Sequence, residues 1–352
     1  MTAESGAARF DLARRLLAVK EAIADGMSEE FFTVHPEFLS QFGEHGRQHC
    51  TADARFHVES LAGAIQSGSP EAFAEYARWA ARVLAARGIE AHTLEENFDQ
   101  LENQIGATLE DQDRRVVSRF LSSGRRACTE PMPREETRVA QGPAGLAQQV
   151  FLAAILAGER SLALKIVETA LGEGIPQVGI YVDVISESLR SVGAMWEANL
   201  IGVAQEHMAT AIAQYVIAMI YPRLTAHGPR RGTMVVTGVC GEQHQIGANL
   251  VADAMEAKGW DVRFLGTNVP HTAVVNAVGD SAADVLCIST TLVANLPSAM
   301  ELIRAVRTKL GKQAPAIVLG GAAYRMTPGF AANLERTQAI TDLRQALAVL
   351  CA

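Results

Sequence analysis

The chain has 352 residues, of which 49% are hydrophobic and 20% are charged. This length allows two or three packed units, and the balance of residue types is that of an ordinary globular protein. A net charge of -8 argues against a nucleic-acid partner. The basic pairs at residues 125–126 and 230–231 are too short to form a phosphate-binding face. The composition therefore predicts no nucleic-acid binding.

Five scattered cysteines without a CxxC pair are typical of a reducing compartment. The N-terminus shows no charged segment followed by an apolar core, so no signal peptide is expected. No uncharged apolar run reaches the roughly 20 residues that span a bilayer. We therefore expect a cytoplasmic protein without a membrane partner.

The first third of the chain has helical periodicity and no strand alternation. In segments such as FDLARRLLAVKEAIADGM, apolar residues recur at intervals of three and four positions. One helix is predicted to end at Gly68, and the next to begin after Ser69 with Pro70 in its first turn. The sequence predicts an all-helical domain over residues 1–126, followed by a proline-containing linker over residues 127–145.

Helical periodicity returns after the linker and continues to Tyr221. Short turns at Gly158, at residues 172–176 and at residues 200–202 separate the helical segments. This pattern is typical of antiparallel helices joined by short loops. Residues 146–228 are therefore predicted to form a four-helix bundle.

The pattern changes again after Arg231. Short β-branched apolar runs (TMVVTGV, DVRFLG, VLCIST and AIVLGG) alternate with helical segments. Such alternation predicts a parallel sheet with helices on both faces. The overall class is thus α and α/β, with a Rossmann-like domain over residues 229–352 whose ligand site lies at the carboxyl ends of the strands.

Polar and small residues follow three of these predicted strands. Glu242, His244 and Gly247 form an ExHxxG motif after the first strand, Ser289 ends the third and a diglycine ends the fourth. An imidazole supported by a carboxylate is a suitable metal ligand, because the acid fixes the tautomer and raises ring basicity. A lone ExHxxG motif is weak, since a turn histidine is usually a solvated surface group. The convergence of three strand ends favours a cofactor site.

These motifs resemble the cobalamin-binding domain of methionine synthase, corrinoid methyl carriers, mutases and cobalamin-dependent photoreceptors, with the pattern DxHxxG, SxL or SxT, and GG. The resemblance implies that His244 is the lower cobalt ligand and that Glu242, in place of the usual aspartate, orients it. It also implies a slot for the nucleotide tail of the cofactor. The further residues assigned to cofactor binding are Val239, Gly247, Ser289, Thr291, Leu292, Gly320 and Gly321.

In the predicted bundle, nine residues separate Trp196 from the pair Glu206 and His207. Taken alone, a core tryptophan and a histidine near a helix start would explain them. The spacing resembles the W-x9-EH pattern of cobalamin-dependent photoreceptors, which implies that these side chains cover the upper face of adenosylcobalamin. Two features differ: residues 1–130 contain no winged helix-turn-helix pattern, and Glu197 stands where some of those proteins have a cobalt-capturing histidine. His207 is a hypothetical upper ligand.

The N-terminal region concentrates four histidines within 23 residues. A polar helix surface would explain them, and a zinc site is a competing interpretation because histidines four apart can chelate a metal. The combination of a helical domain with a W-x9-EH bundle and a cobalamin domain resembles the photocobilins, which implies a biliverdin-type bilin. Cys50 is a candidate for covalent attachment, although a structural cysteine is the alternative. The bilin candidates are His45, His49, Cys50, Asp53, Arg55, His57, Tyr76 and Trp79.

The sequence therefore leads to the expectation of a non-enzymatic light sensor that holds adenosylcobalamin, with a bilin as a second chromophore. The protein would form a homodimer or homotetramer, and photolysis would change this oligomeric state or the contact with a separate signalling partner. The alternative is a corrinoid methyl-carrier protein of a methyltransferase system. A third interpretation, a scaffold that has lost its cofactor, conflicts with the intact motifs around His244.

Overall fold

The computed structural model describes residues 5–107, 109–130, 141–223, 229–332 and 334–351. It confirms the predicted fold class: N-terminal helices, a helical bundle and a C-terminal parallel sheet. Residues 131–140 of the predicted linker lie outside the described residues. The helix before them continues to Thr129, three residues into the segment assigned to the linker. In the described part of the chain, no helix is both long and apolar enough to cross a membrane.

The described N-terminal region is helical throughout. Helix α3 bends at Gly43, which has a φ of 60°, and ends where Gly68 adopts the left-handed conformation with a φ of 75°. Pro70 then occupies the first turn of α4, as predicted. The helices are α1 (Gly6–Ala18), α2 (Lys20–Val34), α3 (Pro36–Ser67), α4 (Pro70–Ala85), α5 (Ala91–Gly106) and α6 (Asp111–Thr129).

The second helical region is the predicted bundle. Its third member begins as α9 and passes through a π-helical segment, Ile180–Ser186, before it continues as α10. Phe151, Tyr181 and Val216 are fully buried in its core. The helices are α7 (Gly142–Leu156), α8 (Arg160–Gly172), α9 (Gln177–Gly179), α10 (Glu187–Glu197) and α11 (Val203–Ile220), and the turn Tyr221–Arg223 follows.

The C-terminal region is a five-stranded parallel sheet in the order β2-β1-β3-β4-β5. The register aligns Gly238, Ser289 and Gly320 in one row at the carboxyl edge. The strands are β1 (Gly232–Gly238), β2 (Trp260–Phe264), β3 (Val285–Ser289), β4 (Ala316–Gly320) and β5 (Thr337–Ala339). The helices between and after them are α12 (Ile246–Glu256), α13 (His271–Asp280), α14 (Leu296–Leu310), α15 (Ala322–Met326) and α16 (Leu343–Leu350).

The two helical regions cover opposite faces of this sheet. Alternate strand residues point to opposite faces, so Val235 packs in a core shared with α13, α14 and the N-terminal helices, whereas Val236 packs in a core shared with the bundle, α12 and α16. The N-terminal contact is tight: a Cβ on Gly63 of α3 would lie 1.9 Å from the Val293 carbonyl oxygen. The N-terminal region is therefore joined to the sheet domain by a continuous apolar core.

Candidate functional site

The ExHxxG motif forms a hydrogen-bonded unit just beyond the end of β1. Glu242 Oε1 lies 2.6 Å from Nδ1 of His244 and accepts hydrogen bonds from the amides of Gln243 and His244 at 3.1 and 3.0 Å. Because a carboxylate can only accept, Nδ1 carries the proton, and the lone pair remains on Nε2. The His244 side chain is 54% exposed. Its ring is therefore fixed on one side and open to a metal on the other.

Glu242 is in turn held by the next strand end along the sheet. Its Oε2 accepts a hydrogen bond from the amide of Thr291 at 2.7 Å and one from Nδ2 of Asn295 at 3.2 Å. The carboxylate is fully buried, so these donors replace the water that it lacks. The loop after β3 thus fixes the residue that orients His244.

The electrostatics of this pair favour a basic imidazole. The hydrogen bond to Glu242 raises the pKa of His244; burial opposes this rise, and the negative charges of Glu242 and Glu206 add to it. Burial alone would raise the pKa of Glu242, but the bonds from the His244 ring and from the amides of Thr291 and His244 outweigh it and lower that pKa. Glu242 is therefore ionised near neutral pH.

A cavity of about 200 Å³ opens beside His244, between the sheet edge, α12, the start of α16 and the bundle. Gly247 at the start of α12 has no atom within 4 Å of the position that a Cβ would take, so its missing side chain leaves open space. The predicted residues that line the cavity are His244, Gly247, Ser289, Thr291, Gly320 and Gly321.

The two glycines of the diglycine have different roles. A Cβ on Gly320 would meet Ile340 at 3.7 Å, an ordinary contact, so this glycine contributes to the shape of the cavity. A Cβ on Gly321 would lie 2.2 Å from the Thr290 carbonyl oxygen, and its φ is 115°. Gly321 is thus required by the close approach of two backbone segments, in addition to the space that the sequence analysis assigned to it.

Val239 and Leu292, which were also assigned to cofactor binding at the strand ends, are not among the residues that line this cavity. Val239 is fully buried in the core that faces α14 and the N-terminal helices, on the other side of the sheet. Leu292 precedes the short turn Val293–Asn295 and does not line the cavity. Val239 belongs to the same core as Val235, and the roles of Val239 and Leu292 in cofactor binding stay predictions.

Sequence reasoning also missed several lining residues. Val182 and Ser186 come from the π-helical segment of the bundle, and Arg190 follows on α10. Arg325 of α15 and Asp342, which directly precedes α16, also line the cavity. The helical period contains no sign of a π-helical insertion, although such insertions are frequent at functional sites.

The W-x9-EH residues belong to the bundle and do not line this cavity. Trp196 lies near the end of α10, and Glu206 and His207 lie in the first turns of α11. Glu206 bonds to the His207 ring and accepts a hydrogen bond from Thr210 at 2.9 Å. The His207 side chain is 75% exposed. The negative charge of Glu206 adds to the rise in the pKa of His244.

The end of α4 reaches the Trp196 segment from the N-terminal region. The Arg87 guanidinium carbon lies 5.1 Å from the centroid of the Trp196 ring, and Nη2 donates to the Trp196 carbonyl oxygen at 3.4 Å. Arg82 pairs with Glu197 at 3.6 Å, and Asn199 donates to the Ala86 carbonyl oxygen at 3.3 Å. The N-terminal region therefore touches both the sheet domain and the end of the bundle that carries Trp196.

The predicted bilin residues separate into an outer and an inner group. On the outer side, His45 and His49 are exposed with their Nε2 atoms 3.0 Å apart, and Arg55 pairs with Glu21. Asp53 is also exposed, and Cys50 is half-buried, with its pKa raised to about 11 by burial.

The inner group belongs to the core of the N-terminal region. His57 is 4% exposed, and its Nδ1 lies 2.5 Å from the Tyr76 hydroxyl. Burial lowers the pKa of His57 to about 4, so the ring is neutral. Trp79 packs beside Tyr76 with ring centroids 6.0 Å apart. His57 thus has the environment of a satisfied core histidine.

The zinc interpretation finds no support in the described residues. They contain no group of three or more histidine, cysteine, aspartate or glutamate side chains arranged to hold a metal ion. Among the residues that the structure describes, His45 and His49 form a pair without a third ligand.

Comparison with known proteins defines the class of this fold and site. Residues 232–342 match the family described as B12 binding domain, and residues 147–221 match a second family with the same description. The chain therefore carries cobalamin-binding domains and is a corrinoid-binding protein. The predicted resemblance to cobalamin-binding domains is confirmed, and these matches do not support the photoreceptor type.

Several corrinoid proteins match about half of the chain. A corrinoid protein of Desulfitobacterium hafniense is 22% identical over 172 residues, which cover 48% of this chain and 80% of that protein. Dimethylamine corrinoid protein 3 of Methanosarcina acetivorans is 22% identical over 48% of this chain and 79% of its own length. The structure of the Methanosarcina barkeri monomethylamine corrinoid protein has a TM-score of 0.51 and 19% identity, and the match covers 58% of this chain and 97% of that one. The likeness to the monomethylamine corrinoid protein supports the fold described above for this chain.

Proposed function

We propose that the protein holds a cobalamin with His244 as lower cobalt ligand and acts as a corrinoid carrier in a methyl-transfer system. The observation behind this proposal is the fixed pair of Glu242 and His244 beside a cavity at the sheet edge. The names of the relatives, which include dimethylamine and monomethylamine corrinoid proteins, support the methyl-transfer part. As a carrier, the chain would act with a separate methyltransferase and would not catalyse the transfer alone.

The residues present fit a cobalamin. Nε2 of His244 is a neutral nitrogen donor of the kind that cobalt accepts, and Glu242 fixes the tautomer. The cavity next to it has space over Gly247 and polar atoms from Ser289 and Thr291, which suit an elongated and partly polar group such as the nucleotide tail. When bound, the cobalt centre supplies the chemistry of carrying a methyl group.

Methyl transfer is tested by reconstitution of the full chain. The protein is loaded with hydroxocobalamin, desalted and reduced. A corrinoid methyltransferase and methylamines as methyl donors are then added, and methylation of the cobalt is followed by its absorption spectrum. We expect the wild-type chain to retain the cofactor and its cobalt to become methylated. The His244→Ala variant should lose the absorption features of histidine ligation. A matched control is His207→Ala, which leaves the lower ligand intact. A chain that stays colourless after desalting would refute the cofactor assignment.

A second candidate function, light sensing through adenosylcobalamin, is favoured by Trp196, Glu206 and His207. The contact between Arg87 and Trp196 adds to it, because a change near Trp196 has a direct route to the N-terminal region. This candidate includes adenosylcobalamin as the bound form, a bilin on the N-terminal region and a light-dependent oligomeric state or signalling partner.

Illumination separates the two candidates. The chain loaded with adenosylcobalamin, with and without biliverdin, is analysed by absorption and by size-exclusion chromatography with light scattering, in darkness and after green light. Light sensing predicts a change in mass or shape that Trp196→Ala removes. Photolysis without any change in size, together with methylation in the previous assay, would support the carrier.

A further inference from the structure

A second cavity lies at the junction between the N-terminal region and the sheet domain. Its volume is about 340 Å³, and it is bounded by the start of α1, the end of α3, the middle of α14, and Gly329, Phe330 and Leu334. It faces the opposite side of the sheet from His244, so it is separate from the proposed cobalamin site. Its volume is at the lower end of the range for pockets that bind small organic molecules.

Three arginines converge on this cavity: Arg9 from α1, and Arg304 and Arg307 from α14. None of the described residues that line it carries a carboxylate. Placing the like charges of Arg304 and Arg307 one helical turn apart on α14 is unfavourable unless an anion offsets their repulsion, and the chain as a whole has a net charge of -8. This concentration of positive charge favours an anionic ligand.

Neutral contacts hold two of the guanidinium groups in place. The Arg304 guanidinium carbon lies 3.7 Å above the Phe10 ring. Arg307 donates to the Thr337 hydroxyl at 2.7 Å and to the Glu335 carbonyl oxygen. These contacts fix the side chains but do not neutralise them, so their charge remains available to a ligand.

The rest of the lining indicates more than an inorganic ion. Phe330, Met300 and Ile303 form an apolar wall. Gln66 is 3% exposed, and its buried Oε1 meets no hydrogen-bond donor among the described residues. Since a buried acceptor without a donor is costly, a ligand hydroxyl or amino group would satisfy it.

We propose that this interdomain cavity binds an organic phosphate of mononucleotide size. The phosphate would contact Arg9, Arg304 and Arg307, the apolar wall would pack on the base, and Gln66 would accept a hydrogen bond from a hydroxyl or amino group. Because α1 and α3 belong to the N-terminal region and α14 to the sheet domain, the ligand would bridge the two.

Calorimetry on the cobalamin-loaded full chain tests the proposal with adenosine 5′-monophosphate, adenosine and inorganic phosphate as probes. We expect the monophosphate to bind, and both fragments to bind at least tenfold more weakly. Arg304→Gln and Arg307→Gln should each weaken binding of the monophosphate at least tenfold.

The matched control is Arg14→Gln. Arg14 also lies over Phe10, at 5.9 Å, but does not line the cavity, so its loss should leave the affinity unchanged. The proposal is overturned if the monophosphate does not bind at millimolar concentration, if phosphate alone binds as tightly, or if Arg14→Gln weakens binding as much as Arg304→Gln. Retained cobalt absorption and a cooperative thermal unfolding transition in each variant show that it is folded, independently of the proposed methyl-transfer function.

Discussion

Replacing Glu242 by glutamine tests how the orienting carboxylate supports cobalt binding. The substitution keeps the shape of the side chain but removes its charge and one acceptor. Every described hydrogen-bond partner of Glu242 is a donor: the amides of Gln243, His244 and Thr291, the His244 ring and the Asn295 side chain. In either orientation, the amide nitrogen of glutamine would face at least two of these donors.

The magnitude follows from these contacts. A buried polar group that loses its partner costs about 1–3 kcal/mol, so E242Q should lower the free energy of unfolding by that order. The loss of a partner that orients a metal-ligating histidine typically weakens metal binding by about 10–100-fold. We therefore expect E242Q to bind cobalamin about 10–100-fold more weakly, with a larger fraction of cofactor not ligated by histidine.

Absorption titration of the apoprotein with hydroxocobalamin measures the affinity, and electron paramagnetic resonance of the Co(II) form reports nitrogen ligation. Glu242→Asp is the matched control, because it keeps the charge and restores the usual DxHxxG motif. It should retain most of the affinity. Wild-type affinity and full nitrogen ligation in E242Q would refute the reasoning.

Two further predictions concern stability. Gly321→Ala should lower the free energy of unfolding by at least about 2 kcal/mol in chemical denaturation, because its Cβ would collide with the Thr290 carbonyl oxygen at a positive φ. The control is Gly320→Ala, whose Cβ would make only an ordinary contact with Ile340. Equal losses of stability in the two variants would contradict the roles assigned to the two glycines. Burial raises the pKa of Asp253 to about 6 from 3.8 despite its hydrogen bond from Tyr181. Since the folded state then holds its proton more tightly, stability should fall by up to roughly 3 kcal/mol as pH rises from 4 to 6. Asp253→Asn should remove this slope in pH-dependent urea unfolding, and an unchanged slope would exclude Asp253 as its source.

Local sequence signals were enough to predict most of the elements that position the site. The glycine and proline at residues 68 and 70 mark a helix end and a helix start, because they act through their own backbone geometry. The short β-branched runs predicted strands β1 to β4. Strand β5 was missed, since three residues at a sheet edge carry too little periodicity to be recognised.

The sequence by itself determined that Glu242 and His244 lie on a turn after a buried strand, and that Ser289 and Gly320 end two others, because parallel strands bring their carboxyl ends to one edge. Only the tertiary structure decided which distant groups complete the pair. Asn295 is 53 positions from Glu242 and reaches it because β3 lies beside β1. The N-terminal region packs on α14, and Val239 is buried in the same core. Both features depend on contacts between the N-terminal helices and one face of the sheet domain, which no local pattern specifies.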